Sequence, residues 1–148
     1  MVPITGTIEI ARPPQAVFDY VTDLARQGEW QDAIISVDVE TKGPTGVGTR
    51  ASETRRVPGG KQTFPFELTE HDPPHRSSFQ VTGGPVRPHG TMTFTPLENG
   101  ARTRVEFEME LVGHGLGVLL LPLVNRDARR RVPQDLAALK QRLESGAE

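Results

Sequence analysis

The C-terminal segment from Leu116 to Glu144 constrains the fold most, because it is the only stretch that has the pattern of a long helix. It begins as the apolar run Leu116–Val124 and continues through an arginine-rich stretch. Its large apolar residues then recur with spacings of four, three and four, at Val132, Leu136, Leu139 and Leu143. That spacing is one face of an α-helix. We therefore predict a helix from about Leu119 to Leu143, bent before Pro133, that covers the apolar face of the remaining structure.

Most of the chain before residue 112 shows the alternation of apolar and polar residues that is typical of half-buried β-strands. Two short helices are expected after the first strand, one following Pro13-Pro14 and one around Trp30. The predicted strands are Ile4–Ile10, Ile35–Glu40, Thr49–Val57, Gln62–Glu70, Arg76–Thr82, His89–Pro96 and Arg102–Leu111. Glycine and proline clusters separate them, and the short connections predict antiparallel neighbours with one covered face.

Composition limits the classes of function. A chain of 148 residues fits a single domain, here residues 1–148. The net charge of -2 gives no reason to expect binding to nucleic acid. The absence of cysteine excludes disulfides, thiolate metal sites and cysteine nucleophiles. The longest apolar run is far shorter than the ~20 residues of a membrane span, and no signal peptide is visible, so a cytoplasmic protein without stable membrane insertion is expected.

The order of the motifs resembles the START-like, or SRPBCC, superfamily, which includes the pollen-allergen proteins and the polyketide cyclase/dehydrase group. The motifs are Ile8–Ile10 followed by Pro13–Phe18, Trp30, Val47–Arg50, Glu70–Arg76, Asn99–Thr103 and Asp135–Lys140. The resemblance implies an α+β helix-grip fold, in which a seven-stranded antiparallel sheet wraps around a long C-terminal helix and leaves a cavity. Members of the superfamily bind, carry or transform hydrophobic molecules such as lipids, sterols, polyketides and quinones. No catalytic motif is common to them, so the resemblance implies a fold rather than one activity.

The candidate site is the inward face of the predicted sheet. If the turn at Gly48 sets the register, Glu53 and Arg55 share one face, and the resemblance directs that face to the cavity and places Trp30 at its mouth. A buried carboxylate can act as an acid or base, which makes Glu53 the candidate catalytic residue. A solvated strand near the sheet edge is the alternative, because the other face of this strand is equally polar. The predicted ligand-binding residues are Trp30, Glu53, Arg55, Phe64, Phe66, Phe79, Met92, Phe94, Val105, Phe107 and Met109.

Metal and cofactor chemistry is not expected from this sequence. His71 and His75 have a spacing that suits a metal site on a helix, but Pro73 and Pro74 between them forbid a helix there. All four histidines are expected at the surface or at the rim of the cavity. We therefore predict no metal ligands and no cofactor.

Three functions remain open. The first is binding, with possible transport, of a hydrophobic small molecule such as a lipid or polyketide. The second is a metal-free, aromatase-like enzyme of the polyketide cyclase/dehydrase type that uses Glu53. The third is a protein–protein interaction module with a vestigial cavity. An arginine cluster, Arg126 with Arg129–Arg131, favours a solvated helix face, although Leu119–Leu121 beside it leaves transient membrane contact open. The sequence does not indicate an oligomeric state.

Overall fold

The computed structural model describes residues 2–146, in which one antiparallel sheet wraps around a long C-terminal helix. The strands are β1 (Ile4–Ile10), β2 (Ile34–Val39), β3 (Arg50–Val57), β4 (Gly60–Asp72), β5 (Arg76–Val81), β6 (Val86–Leu97) and β7 (Arg102–Gly113). The helices are α1 (Pro14–Val21) and α2 (Leu121–Glu144). The seven strands lie in the order β1-β7-β6-β5-β4-β3-β2, a meander from β2 to β7 with β1 beside β7. The predicted helix-grip architecture is confirmed.

The segment between β1 and β2 differs from the prediction in one respect. Helix α1 starts at Pro14, where the missing N–H of proline would have no partner in any case. The second short helix is a 3-10 helix over Leu24–Glu29, which precedes Trp30 instead of containing it. The physical reason is that Leu24 and Trp30 are both buried, so the turn forms between these two anchors.

Helix α2 continues without interruption through Pro133. Its four predicted core residues, Val132, Leu136, Leu139 and Leu143, are all buried. A Cβ atom at Gly6 of β1 would lie 2.7 Å from Leu136 Cδ1, so the glycine allows the helix to rest directly on the strand. A 3-10 helix over Gly115–Leu120 precedes α2. No helix within residues 2–146 is long and apolar enough to cross a membrane.

The space between α2 and the sheet is filled only at one end. There, Phe94 packs edge-on against Phe18 of α1, with ring centroids 5.3 Å apart. Val105, the cross-strand partner of Phe94, is fully buried in the same cluster as Leu139 and Leu143. A second apolar cluster lies on β3–β5, toward the other edge of the sheet. The space between these two clusters is the cavity described next.

Candidate functional site

A cavity of about 280 Å³ lies between the concave face of the sheet and helix α2. This volume is close to the lower limit of roughly 300 Å³ for typical small-molecule pockets. The predicted ligand-binding residues that line it are Trp30, Glu53, Arg55, Phe64, Phe66, Phe79, Met92, Phe107 and Met109. Gly90 leaves room for the Phe79 side chain, because a Cβ atom at Gly90 would lie only 2.8 Å from the Phe79 ring. The cavity is therefore lined mainly by aromatic and aliphatic side chains.

Phe94 and Val105 are the two predicted ligand-binding residues that the structure places outside the cavity lining. Both face inward, as the alternation of their strands predicts. They lie at the end of the sheet where α1 and the C-terminal turns of α2 fill the interior. Strand alternation identifies the covered face, but it does not distinguish a filled part of that face from an open part.

Glu53 and Arg55 project into the cavity from β3. Glu53 is the cross-strand partner of Phe64, which shares its face, so the strand has the register that the Gly48 turn predicts. Arg55 Nη2 donates a hydrogen bond of 2.8 Å to the side-chain oxygen of Gln31. Arg55 Nε lies 3.5 Å from Glu53 Oε1, and the two side chains are only 27% and 17% exposed. The two residues thus form a fixed pair of opposite charges in the cavity wall.

Helix α2 supplies three charged cavity residues that sequence reasoning missed, namely Asp127, Arg131 and Asp135. Arg131 Nε donates to Asp127 Oδ2 at 3.0 Å, and Arg131 Nη1 donates to Asp32 Oδ1 at 3.3 Å. Arg131 therefore belongs to the cavity wall, whereas the sequence grouped it with a solvated arginine cluster. The spacing of these residues could have revealed them. Asp127, Arg131 and Asp135 are four residues apart, so they share one helix face, and that face lies next to the buried Val132 and Leu136.

Asp135 has the most perturbed carboxylate at this site. Burial raises the pKa of Asp135 to about 6, and the nearby negative charge of Asp32 acts in the same direction. The positive charges of Arg55 and Arg131 oppose this rise in the pKa. Asp135 is therefore able to accept or release a proton near neutral pH.

Asp135→Asn is expected to stabilise the protein more at pH 8 than at pH 4. The pKa of Asp135 is about 6 in the folded protein against a reference of 3.8, so the folded form binds more protons between these values. The stabilising contribution of protonated Asp135 is thus fully present below pH 3.8 and is lost as the pH rises through about 6. The stability difference between variant and wild type should grow by about 1–2 kcal/mol, since partial exposure screens the charge. Urea unfolding at both pH values measures this, with the exposed Asp38→Asn as control, and an unchanged difference would contradict it.

Two buried donors in the cavity wall lack an acceptor. The indole N–H of Trp30, a residue only 6% exposed, donates to no atom of residues 2–146. Arg55 Nε likewise makes no hydrogen bond within the described chain, because Glu53 is too distant to accept one. A buried donor without a partner costs about 1–3 kcal/mol, and native proteins contain few of them. Both donors belong to side chains that line the cavity, although the two nitrogen atoms themselves have almost no accessible surface.

Histidine and acidic side chains do not gather into a metal site. Among residues 2–146, no group of three or more such side chains is placed to hold a metal ion. His71, expected at the surface or at the rim of the cavity, is half-buried, and its ring packs against Phe18 with centroids 5.1 Å apart. The bulge between Leu68 and Glu70 shifts the register of β4 just before His71.

Known proteins share this fold. A protein of Thermus thermophilus superposes with a TM-score of 0.81 and 24% identity, covering 99% of this chain and 100% of its own. The Zhui aromatase/cyclase of Streptomyces sp. R1128 has a TM-score of 0.76 and 14% identity, with 99% of each chain covered. An uncharacterized protein of Mycobacterium tuberculosis is 24% identical over 110 residues, which are 74% of this chain and 77% of that protein.

Sequence comparison with family models agrees with the structural similarity. The family described as "Polyketide cyclase / dehydrase and lipid transport" matches residues 1–144, which include every strand, both helices and all of the cavity lining. The sheet that grips a C-terminal helix, the cavity between them and the family match all lead to one assignment. The chain belongs to the polyketide cyclase/dehydrase and lipid-transport family.

Proposed function

We propose that the protein binds, and carries, a hydrophobic small molecule that bears at least one oxygen acceptor such as a ketone. The observation that supports this most directly is the pair of unsatisfied buried donors, Trp30 Nε1 and Arg55 Nε, on residues that line a largely apolar cavity. A hydrocarbon ligand would leave both donors unpaired. A ligand oxygen supplies the missing acceptor once either side chain turns its covered nitrogen toward the cavity, and a charged donor such as Arg55 makes the stronger bond.

The cavity has a polar side and an apolar side. Glu53, Arg55 and Gln31 lie on the β3 side of the cavity, and Asp135 of α2 is close enough to interact with the charge of Arg55. Met92, Phe107 and Met109 of β6 and β7 line the other side. We therefore expect a bound ligand to direct its oxygen toward β3 and its apolar body toward β7. The specificity of such sites comes from a few polar groups set in a hydrophobic wall.

A matched pair of ligands tests this proposal. Fluorenone and fluorene have the same ring skeleton, and only fluorenone carries a ketone. Because Trp30 is the single tryptophan of the chain and lines the cavity, ligand binding should change its fluorescence saturably. We expect fluorenone to bind at least about tenfold more tightly than fluorene, the gain of one hydrogen bond to a charged donor. Equal affinities, or no saturable change beyond that of free N-acetyltryptophanamide, would count against the proposal.

An enzyme of the cyclase/dehydrase type is the second candidate, and the carboxyl group of Asp135 favours it. General acid–base catalysis is most efficient when the pKa of the catalytic group is near the working pH, and the pKa of Asp135 is about 6. With a ketone oxygen held by Arg55, the Asp135 carboxylate can remove the adjacent α-proton. The β-hydroxyl group then leaves as water, taking the proton that Asp135 has just accepted, so the carboxylate is restored. Glu53, the candidate from sequence, is instead tied to Arg55 and is better suited to positioning it.

Dehydration of a two-ring β-hydroxyketone distinguishes the enzyme from the carrier. If the protein is an enzyme, Asp135→Asn should lower turnover by about 100-fold or more while Trp30 still reports binding. Glu53→Gln is the matched comparison, and it should retain more turnover than Asp135→Asn. A wild-type protein that binds the hydroxyketone without converting it supports the carrier alone. An interaction module with a vestigial cavity is not proposed, because the cavity is open and not filled by side chains.

A further inference from the structure

A cluster of exposed apolar residues lies beside the cavity, where the 3-10 helix over Gly115–Leu120 leads into helix α2. It consists of Leu116, Val118, Leu119, Leu120 and Leu123, named here the leucine patch. Leu116 is 82% exposed and Leu119 is 76% exposed, so these side chains protrude into solvent. Single exposed apolar residues are ordinary, but a contiguous group of them marks a contact surface.

The leucines face outward because the inner side of their 3-10 helix is a glycine. Gly117 is buried, and its backbone packs directly on Pro85, where a Cβ atom would collide with the Pro85 carbonyl group. His114 N–H donates a 2.8 Å hydrogen bond to the same carbonyl oxygen. The segment is thus held against the β5–β6 turn by its backbone. This close backbone contact leaves Leu116 and Leu119 exposed, whereas Leu120 also reaches the cavity lining.

Positive charge continues from the leucine patch along the outer face of α2. Leu123, Arg126 and Arg130 follow one another at helical spacings of three and four, on the side opposite Ala128 and Val132. Arg130 bonds Asp127 Oδ1 at 3.1 Å, but residues 126–131 carry four arginines against this one carboxylate, so the end of α2 is locally basic on a chain of net charge -2. An apolar wedge bordered by arginines is complementary to an anionic lipid surface.

We propose that the leucine patch docks on an anionic lipid bilayer, with the leucines at the level of the headgroups and Arg126 and Arg130 against the lipid phosphates. Strongly protruding side chains enter a fluid bilayer readily, whereas a protein partner would need a matching pocket for each. Leu120 and Leu123 belong both to the patch and to the cavity lining, so docking places the cavity next to the membrane. This inference does not depend on which ligand the cavity holds.

Sedimentation with lipid vesicles tests the proposal. The wild-type protein should sediment with vesicles of phosphatidylcholine and phosphatidylglycerol, and less with phosphatidylcholine alone or at high salt. Leu116→Ser/Leu119→Ser should weaken vesicle binding at least about tenfold, because two apolar side chains lose their burial. Arg126→Glu should weaken binding to the anionic vesicles only. None of these residues lines the cavity, so the Trp30 response to fluorenone should remain.

Val39→Ser/Val47→Ser is the matched control, since both valines are exposed, Val39 at the end of the edge strand β2 and Val47 in the β2–β3 loop, away from the patch. It should sediment like the wild type. The proposal is overturned if the wild type stays in the supernatant, or if the control loses as much binding as the leucine variant. It is also overturned if sedimentation velocity shows a dimer that the leucine variant dissociates, because a second copy would then cover the patch. Each of these results leaves ligand binding in vesicle-free solution unaffected, so the two proposals fail separately.

Discussion

Leu139→Ala is expected to lower the free energy of unfolding by about 2–5 kcal/mol, the range for removing a large aliphatic side chain from a packed core. Leu139 has no exposed surface and lies in the cluster that joins α2 to α1 and to strands β1, β6 and β7. This is the filled end of the interior, where no neighbouring void allows the structure to relax. Urea unfolding at neutral pH measures the loss, which should appear as a lower midpoint at an unchanged slope.

Leu119→Ala is the control for this measurement, because Leu119 is 76% exposed and its truncation should change stability by no more than about 0.5 kcal/mol. Leu136→Ala should also fall in the range of about 2–5 kcal/mol, since Leu136 is buried against Gly6 of β1. A loss of less than about 1 kcal/mol for Leu139→Ala would show that the end of α2 is not packed as described.

Residue patterns predicted the architecture because both periodicities were clear. The spacing of Val132, Leu136, Leu139 and Leu143 identified the buried face of α2, and all four are buried. Strict alternation in β7 identified its covered face. The turn at Gly48, which has a φ of 88°, fixed the register of β3 and so placed Glu53 and Arg55 on the concave face. Local pattern suffices where one face of an element is covered along its whole length.

The charged half of the site could not be predicted in the same way. Asp127, Arg131 and Asp135 lie on the inner side of α2, where a cavity separates the helix from the sheet. A helical period selects apolar residues as buried and assigns charged ones to solvent. That assignment fails beside a cavity, because charged side chains can then point inward. Whether a cavity is present depends on the distance between the helix and the sheet, which a sequence pattern does not give. For the same reason, the inward-facing Phe94 and Val105 were counted with the cavity, although they lie in the packed end.

Arg55→Met is expected to weaken fluorenone binding by about 10–100-fold, the loss of a hydrogen bond from a charged donor in a buried site. Arg55 lies at the centre of the polar side of the cavity, where it bonds Gln31, contacts Glu53 and lowers the pKa of Asp135. Methionine keeps much of the length and apolar volume of the side chain but removes all of its donors. Fluorene binding should therefore be nearly unchanged, and titration of Trp30 fluorescence measures both ligands.

Two further variants separate the loss of this donor from structural damage. Arg55→Met leaves the Glu53 carboxylate without its partner in the cavity wall, so Glu53→Gln/Arg55→Met removes that unpaired charge and should bind fluorenone as weakly as the single variant. Arg50→Met alters an arginine on the exposed face of the same strand and should leave affinity unchanged. If the double variant regains wild-type affinity for fluorenone, Arg55 does not contact the ketone, and its role is to neutralise Glu53. If affinity for fluorene falls as far as affinity for fluorenone, Arg55 shapes the cavity and does not select its ligand.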